Sequence, residues 1–450
     1  MTELSQPSPS LLLKAVPPDP FADGPDVAGL PAAFVTDLAL RHLSRKGELK
    51  LYALAQQLGL SAQVVDGLLA HMRSQALVEV PRRGTLEGDI SYVLTDAGQR
   101  RARMAFDKCH YLGPAPVPLP DYVAQVHEQN SQLQPVRDQR LREVLSDMVL
   151  PPALLPSLGS AMNSGKAIYL HGVSGTGKTF LAEHLVRTLE GQVWVPHAIY
   201  VDGEVIQVFD PIVHRVAQAG VGGRGLLRDL SADGRWVRCE RPVVIAGGEL
   251  TLETLDLAYD PHTRMHIAPP QLKANNGIFV VDDLGRQRVS PTELMNRWIV
   301  PLDRHVDYLT LSTGTKFTVP FDVRVIFSSN LPPESLVDPA FARRLGYKIE
   351  IVPLDAAAYR EVVAQACRRA GVPEELPGVQ YLIHTLHPRH GQPYLPCIPY
   401  DVISKIADLA RYRQSLPRLT PEALDWAWAN YFGLPGQSAP ATDPQTLSGG

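Results

Sequence analysis

Cysteine, basic charge and long hydrophobic runs are all in short supply in this sequence of 450 residues. Its 4 cysteines include no C-x-x-C pair, which argues against a disulfide scaffold and favours a reducing compartment. Acidic residues outnumber basic ones, 47 against 43, so a nucleic-acid-binding patch would have to be local. No apolar run approaches the roughly 20 residues that span a bilayer, and the first residues lack the basic and apolar parts of a signal peptide. We therefore expect a cytoplasmic protein that does not insert into a membrane.

The composition is that of a globular protein, with 45% hydrophobic and 20% charged residues. Three helical patterns and a two-stranded hairpin pattern follow one another in an order that resembles winged-helix modules. Farther on, apolar strands alternate with helices, which indicates a parallel α/β sheet. We expect the following segments: a disordered lead-in (1–30), a winged-helix domain (31–107), a linker with a connecting helix from about Asp121 to Ser146 (108–155), an α/β core (156–355), a helical lid (356–432) and a disordered tail (433–450).

A glycine-rich loop carries the strongest chemical signal. Gly172-Val-Ser-Gly-Thr-Gly-Lys-Thr179 lies between an apolar strand and a helix, the setting that a G-x-x-x-x-G-K-T phosphate loop requires. Its glycines let backbone N–H groups wrap a phosphate, and the helix N-terminus adds positive potential. Lys178 is expected at the β- and γ-phosphates and Thr179 on Mg²⁺. The predicted ATP-binding residues are Gly172, Ser174, Gly175, Thr176, Gly177, Lys178 and Thr179.

A second motif supports this site. Gly277-Ile-Phe-Val-Val-Asp-Asp283 is a buried-strand pattern that ends in two carboxylates. Carboxylates at the carboxyl end of a central strand lie at the mouth of an α/β sheet, where the phosphates bind. We therefore expect Asp282 to bind Mg²⁺ and Asp283 to polarise the water that attacks the γ-phosphate.

The order and spacing of these motifs resemble an AAA+ ATPase. Val323-Arg-Val-Ile-Phe-Ser-Ser-Asn330 resembles the strand that ends in the sensor asparagine, which implies that Asn330 holds the attacking water. Asp338-Pro-Ala-Phe-Ala-Arg-Arg-Leu345 resembles the arginine-finger segment. The resemblance implies that Arg344, or else Arg343, completes the site of a neighbouring subunit in a ring homo-oligomer, expected to be a hexamer. The implied fold is a P-loop AAA+ parallel sheet with a helical lid, preceded by the small winged-helix domain.

A hairpin pattern at residues 308–319, just before the sensor strand, narrows the resemblance. Such a hairpin marks the branch that contains the enhancer-binding activators and the MoxR-type ATPases. Pro242–Asp260 resembles the second strand and helix of those activators, and Lys273–Gly285 resembles their approach to the carboxylate-bearing strand. Lys316, near the hairpin turn, either contacts a polyanion in a ring pore or is a solvated turn lysine.

The chain departs from that family at three places. Asp283 stands where the family has glutamate, whose longer side chain reaches farther. The segment Tyr259–His266 lacks the Gly-Ala-Phe-Thr-Gly-Ala sequence that grips a sigma factor, which argues against a sigma-factor activator. The lid lacks a clear sensor-2 arginine, because Cys397 occupies its place and Arg389 is only a weak alternative.

Several alternatives remain open on the sequence alone. Residues 192–241 form an insertion with a hairpin signal at Asp202-Gly203. This insertion is either an element that docks a partner or an added segment without a binding role. The winged helix binds either DNA, through Arg82, Arg83 and the arginines at 100, 101 and 103, or a protein. The histidines at 384, 387 and 390 with Cys397 do not have the spacing of a closed zinc site and are expected to be ordinary lid residues.

We expect an ATPase that remodels a protein or a protein–nucleic-acid partner. The alternatives are a DNA-associated motor, loader or regulator, and a slow nucleotide-dependent switch.

Overall fold

The computed structural model describes residues 27–81, 90–130, 135–217, 233–335 and 339–434. Most of the expected lead-in and tail, the wing arginines Arg82 and Arg83, and Asp338 lie outside the described residues. Among the helices in those ranges, none combines the length and the apolar character needed to cross a bilayer.

The N-terminal module consists of small helices and a 3-stranded antiparallel sheet of order β1-β3-β2. Helix α3 begins where the Ser61 hydroxyl accepts a hydrogen bond from the Val64 N–H, and α4 begins with the same contact between Thr95 and Gly98. Buried leucines such as Leu38, Leu54 and Leu69 form its core. Its elements are α1 (Ala32–Lys46), β1 (Glu48–Lys50), α2 (Leu51–Leu58), α3 (Ala62–Ser74), β2 (Val78–Glu79), β3 (Ser91–Leu94) and α4 (Asp96–Lys108).

The connecting segment is broken into several short elements. They are β4 (Val117–Pro118), α5 (Leu119–Glu128), α6 (Asp138–Val144) and α7 (Leu154–Asn163). The single helix predicted from Asp121 to Ser146 is therefore wrong. Helix α5 ends at Glu128 and α6 begins at Asp138, and Pro135, which lacks a backbone N–H, lies between them.

The central layer is a parallel 5-stranded sheet of order β10-β13-β16-β5-β17. Successive residues of β13 pack on opposite faces, Phe279 in one hydrophobic core and Val280 in the other, so both faces of the sheet are covered. The elements of residues 167–350 are β5 (Ala167–His171), α8 (Lys178–Leu185), β6 (Gln192–Pro196), β7 (Ala198–Val201), β8 (Glu204–Gln207), β9 (Trp236–Glu240), β10 (Val243–Ala246), β11 (Ala258–Asp260), β12 (Met265–Ile267), α9 (Pro270–Lys273), β13 (Gly277–Val281), α10 (Pro291–Arg304), β14 (Val306–Thr310), β15 (Lys316–Pro320), β16 (Val323–Ser329), α11 (Pro339–Ala342) and β17 (Leu345–Glu350).

A second 5-stranded sheet, of order β11-β12-β8-β7-β4, lies beside the central layer. We call it the insertion sheet. The hairpin predicted at Asp202-Gly203 is present as β7 and β8, with positive φ angles of 48° and 88° at the two turn residues.

The helix implied after β10 is absent, and that part of the resemblance is wrong. Only a single 3₁₀ turn, Glu253–Leu255, forms there before β11 begins. The hydroxyl of Thr254 donates to the Thr251 carbonyl and also accepts from the Thr251 N–H. Because these local hydrogen bonds compete with the helical ones, the segment forms a turn instead.

The lid is helical, as predicted. Its helices are α12 (Ala356–Ala370), α13 (Leu376–Tyr381), α14 (His387–His390), α15 (Cys397–Arg413) and α16 (Pro421–Phe432), with a π-helical turn at Leu382–Leu386. Helix α12 begins at Asp355, whose carboxylate accepts from the Ala358 N–H, and ends at Gly371 in the left-handed conformation. His387 is a buried lid side chain, bonded to the Tyr359 hydroxyl at 2.6 Å.

The N-terminal module packs directly on the insertion sheet. Ala198 and Val205 of β7 and β8 belong to the module's own hydrophobic core, and the rings of Phe34 and Tyr200 lie 4.7 Å apart. Gly59, just after α2, approaches Gly234 so closely that a Cβ atom at residue 59 would lie 2.6 Å from the Gly234 carbonyl carbon. The two parts thus share one packed interface.

This close approach gives a stability prediction. Gly59→Ala adds a methyl group against the Gly234 backbone at a residue whose φ is +66°, so we expect a loss of about 2–4 kcal/mol. Gly47→Ala is the matched control, because Gly47 also follows a helix with a positive φ but nothing lies within 4 Å of its Cβ position. Thermal unfolding and limited proteolysis compare the two variants. Equal destabilisation of both would contradict a tight interface at Gly59.

Candidate active site

The glycine-rich loop follows β5 and leads into α8. Gly172, Gly175 and Gly177 all have positive φ angles, of 142°, 86° and 88°. Since L-residues with side chains rarely adopt these angles, the glycines are needed for the shape of the loop. A Cβ atom on Gly172 would also collide with the carbonyl of Ile351, after β17. The loop thereby presents its backbone at the N-terminus of α8.

Lys178 is buried at the centre of this loop. Its ammonium group donates to the carbonyl oxygens of Gly172 and Val173, at 2.9 and 3.0 Å, and to Oδ1 of Asn330 at 3.0 Å. Burial lowers the pKa of Lys178, while the carboxylates of Asp283 and Asp282 act in the opposite direction. The desolvated cation is therefore held where an anion would stabilise it.

Thr179 and Asp282 meet beside the lysine. The Thr179 hydroxyl lies 2.9 Å from both carboxylate oxygens of Asp282, which is the residue directly after β13. Hydroxyl and carboxylate oxygens are the hard donors that Mg²⁺ prefers, so this pair fits the ion. Within the described ranges no three His, Cys, Asp or Glu side chains group to hold a metal. A magnesium ion here would take its other ligands from phosphate and water.

Asp283 lies on a sharp turn at the mouth of the cavity. Its backbone is left-handed, with φ of 49°, and its side chain is half-exposed and 3.8 Å from Arg286. The Gln287 side chain fixes the turn by donating to the carbonyls of Asp282 and Asp283 and accepting from the Gly285 N–H. Because aspartate tolerates this backbone better than most residues, the turn accounts for aspartate at position 283.

A cavity of about 550 Å³ opens between the loop and the lid. At one end are the phosphate loop, the two aspartates and Asn330. The lid closes over this end, where the Cys397 N–H donates to the Gly175 carbonyl at 3.4 Å. The remaining walls are formed by residues 147–150 and by lid side chains that the sequence analysis did not identify: Val362, Gln365, Arg369, Tyr400 and Asp401.

Three of these missed residues lie on one face of α12. Val362, Gln365 and Arg369 are three and four residues apart, which places them on the same side of a helix. Two polar residues on the same helix face as a buried valine could indicate that this face lines a cavity. That inference is possible only once the position of the lid is known.

The expected arginines lie outside this cavity. Arg344 is half-buried and its Nε is 2.9 Å from a carboxylate oxygen of Asp303, whereas Arg343 is exposed. Arg389, the weak sensor-2 alternative, does not line the cavity either, and it pairs with Asp425 at 3.4 Å.

The hairpin of β14 and β15 is fastened to the insertion sheet. The Thr315 hydroxyl donates to Asp202 at 3.1 Å, and the Ser312 N–H donates to His266 at 3.0 Å. Leu309 and Val319 are buried in a core that also contains strands β7 and β8. Lys316 is exposed on the edge of this packed hairpin.

The parallel sheet, the phosphate loop, the carboxylates after β13 and the helical lid together form a P-loop α/β fold with a helical lid. Residues 355–430, in the lid, match the family described as "Domain of unknown function (DUF8689)". No curated protein matches this chain in sequence.

Two solved structures illustrate what the chain is similar to. A mutant of RuvB from Thermotoga maritima is 10% identical, with 68% of this chain and 73% of that chain covered and a TM-score of 0.36. NtrX from Brucella abortus is 13% identical, with 72% and 59% covered and a TM-score of 0.36. Similarity at this level carries no argument about activity, which depends on the geometry of the site.

Proposed function

We propose that this chain is an ATP hydrolase that binds Mg-ATP in the cavity and acts in a ring homo-oligomer to remodel a protein or protein–nucleic-acid partner. One observation carries the proposal. Lys178, the Thr179–Asp282 pair and Asn330 converge on a single glycine-rich loop, at contacts of 2.9 to 3.0 Å. A cation, a metal-binding pair and a polar amide around one anion-binding loop suit phosphoryl transfer to water.

Each side chain has a distinct task in this proposal. The loop amides and Lys178 hold the β- and γ-phosphates, and phosphate oxygens replace the carbonyl and amide oxygens that Lys178 now contacts. Thr179 and Asp282 bind Mg²⁺, which neutralises charge on the phosphate oxygens when bound. Asp283 accepts a hydrogen bond from the attacking water, and the amide of Asn330 orients that water against the γ-phosphate.

The first test is ATP hydrolysis as a function of protein concentration, with and without duplex DNA. Turnover per subunit that rises steeply with concentration supports sites completed between subunits. Flat, near-zero turnover with tight ATP binding would instead favour the nucleotide-dependent switch.

A protein partner is favoured over DNA by the exposed face of α3. That helix presents Gln63, Asp66 and Ala70 to solvent along with Arg73, and this mixed face lacks the several basic groups of a DNA reader. Strong stimulation of turnover by duplex DNA would overturn this preference and favour a motor or loader.

Two substitutions of Asp283 test the charge and the length of its side chain separately. Asp283→Asn keeps the shape but cannot polarise water, so we expect kcat to fall about 10²-fold while ATP binding is retained. Asp283→Glu keeps the carboxylate and should hydrolyse ATP faster than Asp283→Asn, although the left-handed backbone costs glutamate about 1 kcal/mol. Steady-state kinetics and equilibrium binding measure both effects. Equal kcat values for the two variants would argue against a role for the carboxylate.

A further inference from the structure

A buried serine lies between the two residues proposed to hold the attacking water. Ser329, the last residue of β16, directly precedes Asn330 and is 1% exposed. Its hydroxyl donates to the carbonyl of Leu284 at 3.0 Å, and Leu284 directly follows Asp283. The same hydroxyl accepts from the N–H of Leu331, the residue after Asn330, at 3.2 Å. One side chain therefore joins the backbone beside Asp283 to the backbone beside Asn330.

Further hydrogen bonds hold the same two backbone segments. The Leu284 N–H donates to the Ser328 carbonyl at 2.7 Å, so the turn after β13 is bonded to the last two residues of β16. The Leu331 carbonyl accepts from the hydroxyl of Tyr169, a fully buried residue of β5, at 2.9 Å. Strand β5 leads into the phosphate loop. The three segments that carry the proposed catalytic groups thus meet at one buried network.

We propose that Ser329 is a positioning residue for ATP hydrolysis, because its hydroxyl fixes the Asp283 turn relative to Asn330. This inference rests on the proposed function, in which the Asp283 carboxylate and the Asn330 amide hold one water. The Asp283 side chain is half-exposed and its backbone has a φ of 49°, so the direction of the carboxylate depends on how the turn is held. Because a displacement of about 1 Å can slow a reaction about 10²-fold, a hydroxyl that fixes both groups affects kcat.

Ser329→Ala removes this hydroxyl and leaves the bond between the Leu284 N–H and Ser328, so the turn should shift and not detach. In steady-state ATP hydrolysis we expect kcat to fall about tenfold and KM to stay within about twofold of the parent value, because the phosphate loop is unchanged. Tyr169→Phe is a second variant, which keeps the ring in the core and removes the other side-chain contact with Leu331. It should lower kcat in the same direction, by about threefold.

Ser164→Ala is the matched control. The Ser164 hydroxyl makes the same two kinds of contact just before β5, since it donates to the Ala161 carbonyl at 2.8 Å and accepts from the Lys166 N–H at 3.1 Å. Ser164 does not line the cavity, so Ser164→Ala should keep the parent kcat. Thermal unfolding of both variants compares the loss of stability that each substitution causes.

The Asp283→Asn background distinguishes positioning from a general loss of structure. It lacks the carboxylate that the Ser329 hydroxyl is proposed to place. Adding Ser329→Ala to Asp283→Asn should therefore lower kcat by less than about twofold further. A merely structural role would lower kcat by the same factor in both backgrounds, and that result would overturn the inference.

The remaining outcomes separate this inference from the proposed function. If Asp283→Asn slows hydrolysis but Ser329→Ala and Tyr169→Phe do not, only the positioning role fails. A raised KM at the parent kcat in Ser329→Ala would also overturn it, because the hydroxyl would then act on nucleotide binding. If the parent protein hydrolyses no ATP, the proposed function itself fails, and the inference fails with it.

Discussion

Replacing Lys178 with alanine is expected to abolish ATP hydrolysis and to raise the dissociation constant for Mg-ATP by at least about 10²–10³-fold. The ammonium group is buried and reaches three oxygen acceptors at 2.9 to 3.0 Å, so it is already held where a phosphate would bind. Truncating one partner of a buried, hydrogen-bonded charge pair costs about 2–5 kcal/mol, which gives that change in affinity.

Thermal unfolding, with and without Mg-ATP, gives a second test of this prediction. Burial lowers the pKa of Lys178, so in the absence of an anion the charged amine is disfavoured by its surroundings. We therefore expect Lys178→Ala to unfold near the temperature of the parent protein when no nucleotide is added. The parent should gain thermal stability from Mg-ATP, and the variant should not.

Lys166→Ala is the control for this experiment. Lys166 is exposed just before β5, at the opposite end of the strand that leads into the phosphate loop. Its loss removes the same charge from the chain without touching the cavity. Unchanged hydrolysis by Lys178→Ala, or an equal loss in both variants, would contradict the assignment of the phosphate site.

The features that the sequence made predictable are those encoded locally. A phosphate loop needs glycines at positive φ and a lysine at the start of a helix, and both requirements can be read within eight consecutive residues. The ends of helix α12 are marked locally in the same way, because a capping aspartate, Asp355, precedes it and a left-handed glycine, Gly371, follows it.

The features that could not be predicted depend on contacts between distant segments. Thr315 and Asp202 are 113 residues apart, and no local pattern indicates that the hairpin is tied to the insertion sheet. The contact of Arg369 with Tyr400 likewise requires two lid helices to be packed together. The prediction of a helix after β10 was wrong because of a local effect and not because of a distant contact. The hydroxyl groups of Thr251 and Thr254 form hydrogen bonds within the segment that compete with the helical ones.

Strand β16, which Asn330 directly follows, connects the cavity with the hairpin. At its other end, the Asp322 N–H donates to Asn275 at 2.9 Å, and the Asn276 side chain donates to the Asp322 carboxylate at 2.6 Å. These contacts fix the corner between β15 and β16. The packed chain of elements therefore runs from the cavity through β16 and the hairpin to the insertion sheet, on which the N-terminal module lies.

Replacing Arg344 with alanine is expected to leave ATP binding intact and to slow hydrolysis by about 10³–10⁵-fold, the range observed for arginine fingers. Arg344 lies outside the cavity of its own chain and is paired with Asp303 at the end of α10, so its effect must come from a neighbouring subunit. A subunit with Lys178→Ala lacks a working phosphate site but keeps its arginine, whereas a subunit with Arg344→Ala keeps the site and lacks the arginine.

Mixing these two inactive variants should restore part of the hydrolysis, because some interfaces then join an intact phosphate site to an intact arginine. Arg389→Ala is the control, because Arg389 is a lid arginine whose ion pair with Asp425 lies away from the cavity. This variant should hydrolyse ATP at the parent rate. If the mixture stays inactive while Arg343→Ala mixed with Lys178→Ala recovers, the exposed Arg343 is the residue that acts between subunits. If neither mixture recovers, neither Arg343 nor Arg344 completes the phosphate site of a neighbouring subunit, and this part of the proposal is contradicted.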